Sequence, residues 1–430
     1  MTTPQIIEAD LTWTGDGFAA GVQVEVDAGG HIGRVGVLGQ TPTERLAGKA
    51  LLPGFVNAHS HAFQRGLRGH GETFPAGAGS FWTWREAMYG LVDSMDASHL
   101  ATLTRNAFAE MRSCGITTVG EFHYLHHDAS EGGFAFDEVI LAAAEAVGIR
   151  IALLQACYRT GDIDAPLAGP QRRFGVADLD AYWTQIDRLT PRLEPTRQSL
   201  GVVAHSIRAV GLEEIVTLHE EAMRRGMVFH MHVEEQPREI EACVHRYHVP
   251  PMTLLNEHLV ISPRFTAVHC THTAADDMER FLAAGGNVCL CPLTEANLGD
   301  GLAAVAAIRR QGGRICVGSD SNLRLSMLEE LRWLEYGQRL RGMERGVVRD
   351  EQGRVTRALL EMATRHGARA LGVRAGAIEP EKLADFCLVD LEHPSLAGAT
   401  AETLLDTLVF GAGNETIVAT CVGGVWAWHR

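Results

Sequence analysis

The sequence predicts an α/β fold: a (β/α)8 TIM-type barrel with a small β-sandwich module formed by both chain ends. Three observations predict it. Eight strand-like apolar runs lie between residues 51 and 318, with amphipathic helical segments between them. Several of those segments stop at a glycine (Gly115, Gly148, Gly226, Gly285), the residue that most easily takes a left-handed helix end. A chain of 430 residues has room for a barrel of roughly 250 residues or more plus a smaller module. A doubly wound sheet is the alternative fold.

Taken in order, Gln5–Thr14, Val22–Val26 and Ile32–Val37 read as short strands between glycine-containing turns. Phe386–Val389, Thr407–Val409 and Thr416–Trp426 read the same way near the other end. Neither set has enough strands to close a core alone, so residues 1–50 are expected to pair with 381–430. The barrel is expected over 51–380. Its strands are Leu51–Ala58, Thr117–Phe122, Arg150–Ala156, Leu200–His205, Val228–His232, Thr266–Cys270, Asn287–Cys291 and Arg314–Gly318. Helices are expected over Ser98–Arg112, Phe136–Ala146, Leu212–Arg225, Ala274–Ala284 and Met327–Arg341, with further helices in 342–380.

Bulk properties narrow the function. Apolar content of 46% and charged content of 21% are ordinary for a soluble enzyme. A net charge of −15 argues against a nucleic-acid groove. No apolar stretch reaches 18 residues, so no membrane helix is expected. Met1-Thr2-Thr3-Pro4-Gln5 has neither a basic nor an apolar leader segment, so it is not read as a secretory signal. Nine scattered cysteines without a Cys-x-x-Cys pair fit a reducing, cytoplasmic setting. Lysine occurs only at 49 and 382, so arginine supplies nearly all the basic residues.

The unusual polar residues fall at the C-terminal ends of predicted strands, where such a barrel carries its active site. His59 and His61 end the first strand. As residues i and i+2 they project to one face and can grip one ion. His230 and His232 end the fifth, His269 the sixth, and Asp320 follows the eighth. Three imidazoles and a carboxylate suit zinc, with His59, His61, His232 and Asp320 as ligands. Zinc can bring a bound water from about 15.7 toward about 7, making a nucleophile near neutral pH. Asp320 is positioned to accept that water's proton. Glu235, three residues beyond His232, is the candidate proton carrier, with Glu234 as the alternative. His269 is read as orienting the water or polarising the scissile bond. His230, one pleat deeper than His232, is read as a supporting or core residue.

This ordered set resembles the amidohydrolase superfamily. Many members bridge two metals with a carboxylated lysine on the fourth strand; Leu200–His205 has no lysine, glutamate or cysteine. The resemblance therefore implies one zinc per chain and the deaminase branch. Finer motifs are Asn57-Ala58-His59-Ser60-His61-Ala62-Phe63-Gln64-Arg65, Ser80-Phe81-Trp82-Thr83-Trp84-Arg85-Glu86-Ala87-Met88-Tyr89, Glu121-Phe122-His123-Tyr124-Leu125-His126-His127-Asp128, Ala204-His205-Ser206-Ile207-Arg208 and Gly318-Ser319-Asp320-Ser321. They are similar to those of the formimidoylglutamate deiminase family over about the first 340 residues. The resemblance implies hydrolysis of N-formimino-L-glutamate to N-formyl-L-glutamate and ammonia, a step of histidine degradation. Arg85 and Arg208, expected at or beyond strand ends, would take the substrate's carboxylates, a match for guanidinium geometry. Gln64, Tyr124 and His205 are the neutral hydrogen-bonding candidates. Trp82 and Trp84 either line the pocket or pack in the core. His123, His126 and His127 are read as a polar loop at the barrel mouth rather than a second metal site. A homodimer is the assembly the resemblance implies. The alternative function is a deaminase acting on a purine- or pyrimidine-like ring.

Overall fold

Eight parallel strands pair in sequence order: Phe55–Ser60 (β1), Ile116–His123 (β2), Arg150–Cys157 (β3), Gln198–Ala204 (β4), Phe229–Val233 (β5), Phe265–His269 (β6), Asn287–Leu290 (β7) and Arg314–Val317 (β8). Every residue of β1, β2, β3, β5, β6 and β7 is buried. Burial on both faces is why these strands read as continuous apolar runs without alternation. This computed structural model describes residues 4–70, 72–74, 77, 79–128 and 132–429. Met1–Thr3, part of the stretch read as lacking a leader, lies outside them. No helix among the described residues is long and apolar enough to cross a membrane.

The sheet returns on itself between β8 and β1. Ser60 and Asp320 form a parallel bridge. The Asp320 N–H donates to the His59 carbonyl at 3.0 Å, and the His61 N–H donates to the Asp320 carbonyl at 2.9 Å. Buried side chains reinforce the seam. Asn57 Nδ2 donates to Ser319 Oγ at 2.6 Å, while the Ser319 N–H donates to Asn57 Oδ1 at 2.9 Å. Ser319 Oγ donates to Asn322 Oδ1 at 2.6 Å, and Asn322 Nδ2 to Ser60 Oγ at 3.1 Å. Gly318 makes the approach possible: a Cβ there would sit 2.6 Å from His59 Cβ and 2.7 Å from the His59 carbonyl oxygen.

Strands from both chain ends pair into one continuous eight-stranded sheet, in the order 425–428, 417–422, 386–390, 44–53, 5–13, 23–26 and 32–36, with 18–19 beside 5–13. Its own apolar core includes Ile7, Val24, Leu51, Phe386 and Leu388. A buried, two-pronged ion pair between Arg150 and Asp385 (2.8 and 2.9 Å) ties the start of β3 to this sheet.

Two expectations need correction. The apolar run 51–58 is not one strand. Leu51–Pro53 ends the strand Glu44–Pro53 of the end sheet, and the barrel strand starts at Phe55. Between them Gly54 passes so close to Thr117 that a Cβ would lie 2.2 Å from its hydroxyl. Thr407–Val409 is not a strand but part of the helix Leu404–Gly411. The buried residues Leu404, Leu405, Leu408 and Val409 recur with helical spacing, which a three-residue apolar window does not reveal.

Gly318→Ala is expected to lower stability by about 1–3 kcal/mol through overpacking at the seam. The readout is a lower urea midpoint with an unchanged slope.

Candidate active site

The C-terminal ends of the barrel strands converge on one cavity of about 520 Å³. β1 brings His59, with His61 just past its end; β5 brings His232, and Glu235 follows. His269 is the last residue of β6. Asp320 lies beyond β8, held by the seam bridge. His269 and Asp320 both take left-handed backbone, at φ +72° and +48°. Each lies where its strand breaks off.

The histidines are oriented from behind. His61 Nδ1 lies 2.8 Å from the Phe122 carbonyl, and His232 Nδ1 lies 3.0 Å from the His205 carbonyl. A carbonyl can only accept, so both Nδ1 atoms carry the proton and both Nε2 atoms turn lone pairs inward. His232 Nε2 is 3.2 Å from His59 Nε2. Asp320 Oδ1 lies 3.5 Å from His59 Nε2 and 3.3 Å from His61 Nε2. The ligand atoms of His59, His61 and His232 fall within 4.8 Å of one another, as do those of His59, His269 and Asp320.

Electrostatics sort these groups. Burial pushes the His61 imidazole down to about 3 and the His232 imidazole well below its ordinary value, with the neighbouring rings adding to it. Both are neutral, as ligands must be. Burial alone would raise the Asp320 carboxyl, but His59, His61 and His269 outweigh it and hold it below the usual carboxylate range. The Nε2 atoms of His59 and His232 stand 3.2 Å apart beside the Asp320 carboxylate, and His59 Nδ1 has no partner among the described residues. The donor set therefore fits a zinc ion.

Burial would also lower the His269 imidazole. The carboxylates of Glu235, Glu295 and Asp320 reverse that and lift it to about 10. His269 Nδ1 meets Glu295 Oε1 at 3.3 Å, and its Nε2 lies 3.8 Å from both Glu235 Oε1 and Asp320 Oδ2. The Glu235 carboxyl is raised, by burial first, against His269 and Arg208, which lower it.

The cavity brings together every remaining candidate. Gln64, Arg85, Tyr124, His205 and Arg208 all line it with His61, His232, Glu235, His269 and Asp320. Gln64 Nε2 donates to the Tyr124 hydroxyl at 2.8 Å, leaving Gln64 Oε1 buried without a partner among the described residues. Arg208 is buried between two carboxylates, 3.2 Å from Glu239 Oε2 and 3.6 Å from Glu235 Oε2. Arg85 is not at a strand end as expected. It lies on the helix Phe81–Asp93, whose Phe81, Trp84, Met88 and Tyr89 also wall the cavity. Trp82 sits outside that wall. Glu234 turns away, its Oε1 accepting the Met252 N–H at 2.9 Å. His230 bonds the Ala370 carbonyl at 2.9 Å, below the site. His123 and His126 are buried around Asp137 at 3.0 and 2.9 Å, and His127 meets the Gly175 carbonyl at 2.7 Å. These three form an internal cluster, not an open loop at the mouth. Lys49 pairs with Asp390 in the end sheet at 2.9 Å.

Three residues escaped the sequence reading. Glu295 anchors His269. It follows β7, the one late strand for which no strand-end acid or histidine was assigned. Glu239 braces Arg208 one helical turn after Glu235. Tyr158, the residue after β3, lines the cavity with Arg85 and Arg208. Extending the strand-end criterion to tyrosine would have found it.

Fold and site together define a barrel hydrolase of the kind built on a histidine–aspartate ion site. The model of the amidohydrolase family matches residues 50–427, and the chain belongs to that family. It is 36% identical to formimidoylglutamate deiminase of Pseudomonas aeruginosa over 417 residues, spanning 96% of this chain and 92% of that one. The crystal structure of an amidohydrolase from Brucella melitensis superposes with TM-score 0.90 at 33% identity, covering 99% and 96% of the two chains. An adenosine deaminase from Xanthomonas campestris with bound zinc shares the fold, with TM-score 0.83 at 24% identity over 99% and 93%.

The raised His269 value carries a pH signature in metal-free protein. Its unfolded value is about 6.5. The stabilisation is therefore complete below that pH and is lost as pH climbs through about 10. Chelator-treated protein should melt at progressively lower temperature from pH 7 to 10. Glu295→Gln should flatten that trend, as followed by calorimetry.

Proposed function

We propose that this chain is a single-zinc deiminase converting N-formimino-L-glutamate and water to N-formyl-L-glutamate and ammonia. The observation that carries the reading is one cavity lined by both the imidazole–carboxylate set and two arginines, Arg85 and Arg208. An ion site alone suits any hydrolase of the family; the guanidinium groups suit a substrate with two carboxylates. The identity to the Pseudomonas deiminase supports the same choice.

His59, His61, His232 and Asp320 would hold the ion, which when bound supplies the polarisation that brings water's ionisation toward neutral pH. The chain's own residues do the rest. Asp320 Oδ2, 3.8 Å from His269 Nε2, takes the water's proton as its oxygen adds to the formimino carbon. The imidazolium of His269, braced by Glu295, steadies the charge that develops there. Glu235, whose carboxyl burial raises toward its protonated form, delivers a proton to the terminal nitrogen. The proton held by Asp320 follows to the same nitrogen, the remaining hydroxyl proton returns to Glu235 as the formyl carbonyl forms, and the carbon–nitrogen bond breaks to release ammonia. The glutamate nitrogen stays bonded, so Glu235 must face the terminal side. Gln64 Oε1 is a free acceptor for a substrate N–H, with the Tyr124 hydroxyl and His205 beside it. Arg208 and Arg85 take the two carboxylates.

A ring-deaminating enzyme is the second reading, favoured by the aromatic wall of Phe81, Trp84, Tyr89, Tyr124, Tyr158 and Phe174. It leaves both guanidinium groups without a role. A cytoplasmic setting goes with the first reading, since all nine cysteines are buried and unpaired. A homodimer is its expected assembly, checked by light scattering.

Zinc-loaded protein should release ammonia from N-formimino-L-glutamate, lose activity on chelation and regain it with zinc. No release by the loaded protein would sink the assignment. Arg208→Ala should raise KM about 10- to 100-fold for this substrate, the value of a charged hydrogen bond. Glu235→Gln should lower kcat by about 100-fold or more with KM little changed.

A further inference from the structure

Arg85 has a second environment. A neighbouring outer cavity, lined by Trp82, Arg85, Glu86, Tyr89, Gln171 and Arg238 among others, shares Arg85 and Tyr89 with the inner one. The Arg85 guanidinium lies 5.4 Å from the ring centres of both Trp82 and Tyr89. Arg238 lies 4.4 Å from the Trp82 ring, so one indole carries two guanidinium groups. Among the described residues, neither arginine has a carboxylate within ion-pair distance. Among the described residues, the hydrogen bond of the Arg85 guanidinium is a long one, to the Gly161 carbonyl at 3.4 Å. Gln171 is already committed to Tyr89 and Gly161. The one acid in this wall is Glu86, so the ledge is net positive.

That placement runs against the rest of the molecule. The chain carries a net charge of −15, which repels a dianion at long range. Arg238 is exposed and stands in the first turn of the helix Pro237–Tyr247, where a cation is disfavoured by the helix dipole. Arg208, deep in the site, is already flanked by Glu235 and Glu239. An arriving carboxylate therefore meets unneutralised guanidinium first at the ledge.

We propose that the Arg238–Trp82–Arg85 ledge is an outer carboxylate site that collects a small dicarboxylate and passes it inward along Arg85. The proposal rests on the dicarboxylate reading of the inner cavity. Arg238 acts on capture and touches none of the reacting atoms.

The test is Arg238→Glu, Arg238→Gln and Arg238→Lys in zinc-loaded protein. Arg238→Glu should lower kcat/KM for N-formimino-L-glutamate about 10-fold at low salt, with kcat unchanged. The loss should shrink to under about threefold near 1 M salt, where screening acts over about 3 Å. Arg238→Gln should fall between, and Arg238→Lys should recover most of the rate, which separates charge from folding damage. Calorimetry with glutarate gives a reading independent of turnover: Kd should rise about fivefold or more in Arg238→Glu. Equal kcat/KM and equal glutarate Kd in wild type and Arg238→Glu would overturn the ledge. Failure of wild type to release ammonia, with a glutarate Kd still dependent on Arg238, would overturn the substrate assignment and leave the ledge standing.

Discussion

The bridge between Ser60 and Asp320 is the constraint on which the rest depends. Its backbone bonds join the last barrel strand to the first, and its side chains are the site. His59 and His61 flank Ser60, and the Asp320 carboxylate turns back toward both rings. Closing the barrel thus also gathers the candidate ligand groups. Asn57, Ser319 and Asn322 hold that joint from beneath with buried, mutually satisfied hydrogen bonds. A satisfied polar network fixes one arrangement, whereas a half-satisfied one would cost more than an apolar contact.

Burial and neighbouring charges set the balance of each group around this joint. Burial holds the His61 and His232 imidazoles neutral, and carbonyls fix their Nδ1 atoms. His269 is cationic because three carboxylates surround it. Glu235 is protonated readily because burial disfavours its anion more than Arg208 and His269 favour it. Two carboxylates of one type, Asp320 and Glu235, are driven in opposite directions by their neighbours, the usual way one site supplies both base and acid. Arg208 is compensated in advance by Glu235 and Glu239, while Arg85 rests on aromatic faces, so the two arginines offer a substrate quite different environments.

The parts of this arrangement that repeat with a period were legible in the sequence. All eight barrel strands announced themselves as apolar runs, six of them because they are buried along their whole length, and His59, His232 and His269 stood out as polar breaks in those runs. Asp320 was readable as the acid following the last one. What was not legible depends on contacts distant in sequence. Asn57 and Ser319 lie 262 residues apart, and nothing local marks either as a partner. Glu295 matters only because β6 and β7 lie side by side. Arg85 was assigned to a strand end because the motif suggested proximity to the ion; a helix reaching over the cavity satisfies the same proximity. The Thr407–Val409 error was different: three apolar residues fit either period, and only the longer Leu404–Gly411 window separates them.

His269 and Asp320 hold left-handed backbone without being glycine, at a cost on the order of 1–3 kcal/mol each. Nothing in the barrel requires that twist; β6 and β8 could end in an ordinary extended residue. The twist serves to swing two side chains out of their strands and over the same space. Selection for thermal robustness alone would tend to erase it, by glycine or by a relaxed turn, and each such change would release the chemical groups it aims. The most rugged versions of this barrel and the most active ones therefore lie in different directions from this sequence, and the divergence begins at these two residues.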